Sequence, residues 1–131
     1  LYSRTRIFQQ EFAEVLAMSD QVVCLDIYAA REDPEPGVTG ALIADRFADQ
    51  SRMHYVPNWD DAPAVAARLA SSGDFIITMG CGDTCPFFPG KTYLDWPLND
   101  PAGKGVEEVR PIRDEIRAKV EALIAEIDAK F

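Results

Sequence analysis

Three cysteines, a single histidine and a scatter of carboxylates and glycines are the residues of this chain with chemical potential. Cys81 and Cys85, in Cys-Gly-Asp-Thr-Cys-Pro, could close a reversible disulfide if their α-carbons come within roughly 7 Å. Together with His54 they could converge on a metal ion. Structural zinc sites show shorter cysteine spacing and a fourth ligand, so no metal and no cofactor is expected. Cys24 lies in an apolar run and reads as a buried core thiol, because free cysteine is among the most buried residue types. Backbone amides at Thr39, Gly40, Gly80 and Gly82 are candidate anion-binding positions, since parallel α/β sheets gather helix N-termini and loops at the carboxyl edge of their strands. Asp100, with Pro101 and Gly103, is ordinary turn chemistry. Trp59 and Trp96 read as packing residues.

These residues need elements to position them. Phe8, Phe12, Val15 and Leu16 recur at helical spacing after a cap at Ser3 or Thr5, which predicts an amphipathic helix ending near Ser19. Residues 21–28 form a largely apolar run, as in a strand covered on both faces, with Asp26 the exception. Pro34, Pro36 and Gly37 place a surface loop over residues 30–38, and Thr39 caps a short helix to about Phe47. A strand follows at Met53–Val56. Asp60 or Asp61 then caps a helix carrying Ala62, Val65, Ala66 and Leu69, with Pro63 in its first turn. Residues 74–79 are a further strand, residues 80–90 a loop, and Thr92–Trp96 the last strand. A long closing helix carries the stripe Val109, Ile112, Ile116, Val120, Leu123 and Ile127; Pro111 lies near its first turn or bends it. Glu107 and Glu108 suit its positive end.

Helices alternating with about four strands predict an α/β fold: a three-layer, flavodoxin-like or Rossmann-like sandwich with a mostly parallel sheet in the order 2-1-3-4, helices on both faces and an extra N-terminal helix. A length of 131 residues with 47% hydrophobic residues fits one domain over residues 1–131. The net charge of -9 would repel a phosphate backbone, which excludes nucleic acid as a partner. The apolar runs are too short to span a membrane and no secretion signal opens the chain, so a soluble cytoplasmic protein is expected. An odd cysteine count in a domain of this size fits a reducing compartment.

The runs LYSRTRIFQQEFAEVL, VVCLDIYAAREDPEPGVTGALIA, HYVPNWDDAP and GDFIITMG, in this order, resemble the C-terminal domain of the UDP-N-acetylmuramate–L-alanine ligase family over residues 1–80. In that family ATP is held by a glycine-rich Lys-Ser/Thr loop of a central domain, and no such loop stands here. The resemblance implies that Arg4 belongs to a ligand-facing region, although a solvated arginine on a fraying end is expected. From Thr78 onward, TMGCGDTCPFFPGK and YLDWPLNDPAGKGVEEVRPIRDEIRAKVEALIAEI resemble the end of the low-molecular-weight phosphatase superfamily, closest to arsenate reductases. That resemblance implies a vestigial general acid at Asp100 and a vestigial oxidation relay at Cys81 and Cys85. Its nucleophile motif, C-x5-R-S/T, is missing: Cys24 and Arg31 are one residue too far apart, and Asp26 between them would repel an oxyanion.

Each likeness lacks its family's phosphate-binding loop, and the two meet between Thr78 and Asp83. The chain therefore reads as a recombined or designed chimeric scaffold of synthetic origin, with residues 1–80 from one parent, residues 81–131 from the other, and no catalytic activity. Residual anion or nucleotide binding and a thiol-redox function are the alternatives. Self-association through a bare sheet edge or an uncovered helix face is the expected partner behaviour.

Overall fold

The computed structural model describes residues 1–29, 32–79, 87–101 and 103–130, and these gather into two compact units. The first takes in Leu1–Asp74 and Pro86–Gly90; the second takes in Phe75–Cys85 and Lys91–Phe131. Helices alternate with parallel strands in an α/β arrangement.

In the first unit, α1 (Tyr2–Leu16) leads to β1 (Val22–Leu25), α2 (Ala41–Ala44), β2 (Met53–Val56) and α3 (Ala62–Leu69). β1 and β2 pair in parallel, Val22 opposite Met53 and Leu25 opposite Val56. Val22, Ala44, Phe47 and Met53 form the buried core, with Leu16, Ala17, Cys24 and Tyr55 packed against it. Within α1 the buried positions are Thr5 and Ala13. The Thr5 hydroxyl donates to the Leu1 carbonyl at 3.0 Å, which satisfies a polar group that burial would otherwise penalise. The expected core residues Phe8, Phe12 and Val15 are exposed instead.

Two helix starts differ from expectation. Gly40, not Thr39, occupies the N-cap of α2. No side chain caps α3 directly; Asn58 caps a 3-10 turn, Trp59–Asp61, that runs into it, with its side-chain oxygen accepting from the Asp60 amide at 3.3 Å. Asparagine does here what Asp60 or Asp61 were expected to do, because one extra turn precedes the helix.

In the second unit, β3 (Phe75–Met79) and β4 (Thr92–Trp96) are parallel, with Phe75 opposite Thr92 and Met79 opposite Trp96, and α4 spans Val106–Asp128. Glu108 accepts from the Gly105 amide at 3.1 Å, closing the first turn of α4 as its acidic residues led one to expect. The helix continues through Pro111, which lies in its second turn and leaves the Glu107 carbonyl without an amide donor from that position. Ile112 is buried, and Val109, Ile116, Val120, Leu123 and Ile127 are half-buried on the expected side.

The expected pairs 2-1 and 3-4 both form, giving each unit a two-stranded parallel sheet. No helix among the described residues is long and apolar enough to cross a membrane.

Candidate functional site

A set of linked polar contacts follows the carboxyl end of β1. Asp26 stands immediately after the strand, and one of its carboxylate oxygens accepts from the Ile27 amide at 2.8 Å and from the Gly40 amide at 3.0 Å. The polar residue that interrupts the apolar run is thus a clamp that joins two positions fourteen apart in sequence and satisfies the amide of Gly40, the N-cap of α2. Gly40 permits the approach: a Cβ there would lie 2.1 Å from the Leu25 carbonyl oxygen. No other residue fits without moving that backbone.

Two further contacts fix the loop to α1. The Ser3 amide donates to Glu32 at 2.9 Å and the Ser3 hydroxyl donates to the other oxygen of the same carboxylate. The Arg6 guanidinium lies 3.0 Å from Glu35. The Ser3 hydroxyl first, and the Ser3 amide second, hold the Glu32 carboxyl below its ordinary value. At the loop's beginning Tyr28 stacks against Trp59 with ring centroids 5.9 Å apart and an interplanar angle of 55°. Both rings are exposed, so Trp59 is not the packing residue expected of it; it pairs at the surface. Trp96 is half-buried, with the Lys119 ammonium 6.0 Å from its ring centroid.

Cys24 is half-buried, its thiol 3.7 Å from the carbonyl oxygens of Leu25 and Gly40. Burial first, and the Asp26 charge second, push the thiol up, so it stays protonated and unreactive near neutrality. That agrees with a core thiol. The His54 Nε2 atom meets the Gln21 side-chain oxygen at 2.8 Å. Among the described residues no cluster of histidine, cysteine or carboxylate could hold a metal ion.

Of the expected anion-binding positions, Thr39 and Gly40 lie together, but the Gly40 amide is already taken by Asp26, whose charge opposes an incoming anion. Arg4 is exposed in the first turn of α1. Asp100 is exposed beyond β4. Gly80, Gly82, Cys81, Cys85 and Arg31 lie outside the described residues. The sequence reading missed the double acceptance by Asp26 and the two pins at Glu32 and Glu35. The one available signal was a carboxylate in a strand otherwise free of charge. The arrangement holds a loop in place beside a strand end and presents no activated nucleophile among the described residues.

Comparison with known proteins adds the biological frame. A family described as Mur ligase, glutamate ligase domain, matches residues 1–82. The UDP-N-acetylmuramate–L-alanine ligase of Clavibacter sepedonicus is 49% identical over 104 residues, covering 79% of this chain and 21% of that protein. The ligase of the same name from Mycolicibacterium smegmatis is 51% identical over 103 residues, again 79% of this chain and 21% of the relative. In Thermobifida fusca the corresponding values are 52% over 89 residues, 68% and 19%. The chain spans about a fifth of the length of these relatives.

These matches overturn the reading of a recombined or designed chimera. A match over 104 residues is longer than the 80 that precede Cys81, so the ligase likeness runs through the supposed junction. Identities near 50% to natural ligases replace a synthetic origin with a ligase domain. Nor do the matches support the two alternative functions, since the relatives named above are ligases.

Proposed function

Because the chain belongs to the Mur ligase, glutamate ligase domain family, we propose that it supplies that domain to an enzyme joining L-alanine to UDP-N-acetylmuramate. The observation that carries the proposal is the identity of about one half to ligases bearing that name, over four fifths of this chain. The domain does not catalyse the ligation alone. The sequence has no Gly-x4-Gly-Lys-Ser/Thr loop to cradle nucleotide phosphates, so that chemistry falls to the remainder of the enzyme.

On this reading the Asp26–Gly40 contact sets the backbone at the strand's carboxyl end, where open α/β sheets receive ligands. Arg4 in α1 supplies a guanidinium for a carboxylate or phosphate of the substrate. Pre-set loops lower the entropy lost on binding, which is what three separate pins on one loop accomplish. The chain acts as a single domain over residues 1–131, which one cooperative thermal transition would support and two separate transitions would refute.

The direct test is replacement of the matched segment in the intact Mycolicibacterium smegmatis ligase by residues 1–82 of this chain. The hybrid is expected to join L-alanine to UDP-N-acetylmuramate, and the 131-residue chain by itself is expected to give no turnover. A folded hybrid without turnover would overturn the proposal. Arg4→Ala in an active hybrid should raise the KM for a substrate more than it lowers kcat.

A further inference from the structure

The periodicity of α1 and its packing disagree. In α1, which kinks at Phe8 (φ -108, ψ 23), Phe8, Phe12 and Val15 recur in sequence at the spacing of a face meant for a protein interior. In the structure they are 47%, 40% and 66% exposed. The side that packs carries Thr5, Gln9, Ala13 and Leu16, a stripe in which two of four residues are polar. Exposed Arg4 and Glu11 border the open apolar stripe, giving it the polar rim of an interaction surface.

We propose that the Phe8–Phe12–Val15 stripe is a docking surface for the part of the ligase polypeptide that lies outside this chain; this rests on the reading of the chain as a ligase domain. Length supports that occupant, since the matched ligases are several times longer than the stretch they share with this chain. A second copy is the poorer fit. A symmetric pair would bring together two surfaces of the same strongly acidic chain, each with a net charge of -9, and would need one narrow stripe to complement itself.

Hydroxyl-radical footprinting tests the proposal on two intact proteins, the 131-residue chain and the hybrid ligase containing residues 1–82. Phe8 and Phe12 should oxidise rapidly in the isolated chain and several-fold more slowly in the hybrid. Phe12→Asp should leave the melting temperature of the isolated chain unchanged and lower that of the hybrid. Equal oxidation in both proteins, with the hybrid active, would overturn the docking surface and leave the proposed function standing. A folded hybrid that protects Phe8 and Phe12 but lacks turnover would do the reverse. Protection in the isolated chain that grows with concentration, together with sedimentation as a dimer, would assign the stripe to a second copy and overturn the proposal.

Discussion

The Asp26 carboxylate and the Gly40 amide, fourteen positions apart in sequence, meet at 3.0 Å, while the Gly40 α-carbon sits so close to the Leu25 carbonyl that a methyl group would overlap it. The carboxylate draws the loop's far end inward, and the absence of a side chain lets it arrive. Each residue is useful because of the other.

Removing the acceptor therefore leaves a buried donor. Asp26→Ala strands the amide of Gly40 as well as that of Ile27, a loss of about 1–3 kcal/mol by the usual cost of an unsatisfied buried group. Asp26→Asn keeps a carbonyl oxygen in place and should recover most of that loss. Urea unfolding of the two variants decides the matter; equal midpoints for alanine, asparagine and the parent chain would show that the clamp contributes nothing.

Gly40→Ala tests the other partner. A Cβ would meet the Leu25 oxygen at 2.1 Å and the Tyr55 ring at 3.1 Å, and the oxygen belongs to backbone that is held in the paired strand β1. Overpacking of this kind costs about 1–3 kcal/mol. Gly37→Ala is a useful contrast, because its surroundings are open but its φ of 81° disfavours any side chain. Both should lower the urea midpoint. Only Gly40→Ala should also shift the amide resonances of Asp26 and Ile27.

Glu32 gives a pH dependence of definite sign. Its carboxyl is held below the ordinary glutamate value, chiefly by the Ser3 hydroxyl. A group whose pKa falls on folding binds fewer protons in the native state, so its contribution is present above the unfolded value and disappears as pH falls through the folded one. Ser3→Ala should thus be less stable than the parent at neutral pH, with the ionisation-linked part of the difference vanishing below the folded value. Chemical denaturation at neutral and strongly acid pH measures it. A difference that grows on acidification would contradict the assignment.

How much of this was legible in the sequence depended on what each signal encodes. Strands β2 and β4 could be read because Val, Tyr and Thr cluster between turn residues, and α4 because its apolar stripe repeats over six turns. The pairings of β1 with β2 and of β3 with β4 agree with the expected strand order, because helices alternating with strands favour parallel neighbours joined by crossovers. In α1 the periodicity correctly implied a helix but pointed to Phe8 and Phe12 as its packed side, where the structure uses Thr5 and Ala13. At the loop, Asp26 stood out as a charge among apolar residues, yet its partner fourteen positions away carries no side chain to advertise the contact. The ligase resemblance was sound over residues 1–82, and the error lay in stopping it at Gly80.

Cys24 supplies a last test, because its thiol lies between the core and the Asp26 charge. Burial and that charge both disfavour the thiolate, so Cys24 should alkylate with iodoacetamide more slowly at pH 8 than a free thiol does, followed by mass spectrometry of its own peptide so that Cys81 and Cys85 do not interfere. Asp26→Asn removes the electrostatic part. The inflection of the Cys24 rate against pH should then move down while remaining above the usual cysteine range, because burial, the larger cause, persists. A loop merely loosened by the substitution would raise the rate at every pH by the same factor and leave the inflection where it was. An unchanged inflection would therefore remove Asp26 from the account of this thiol, and alkylation of the parent chain as fast as a free thiol would remove burial as well.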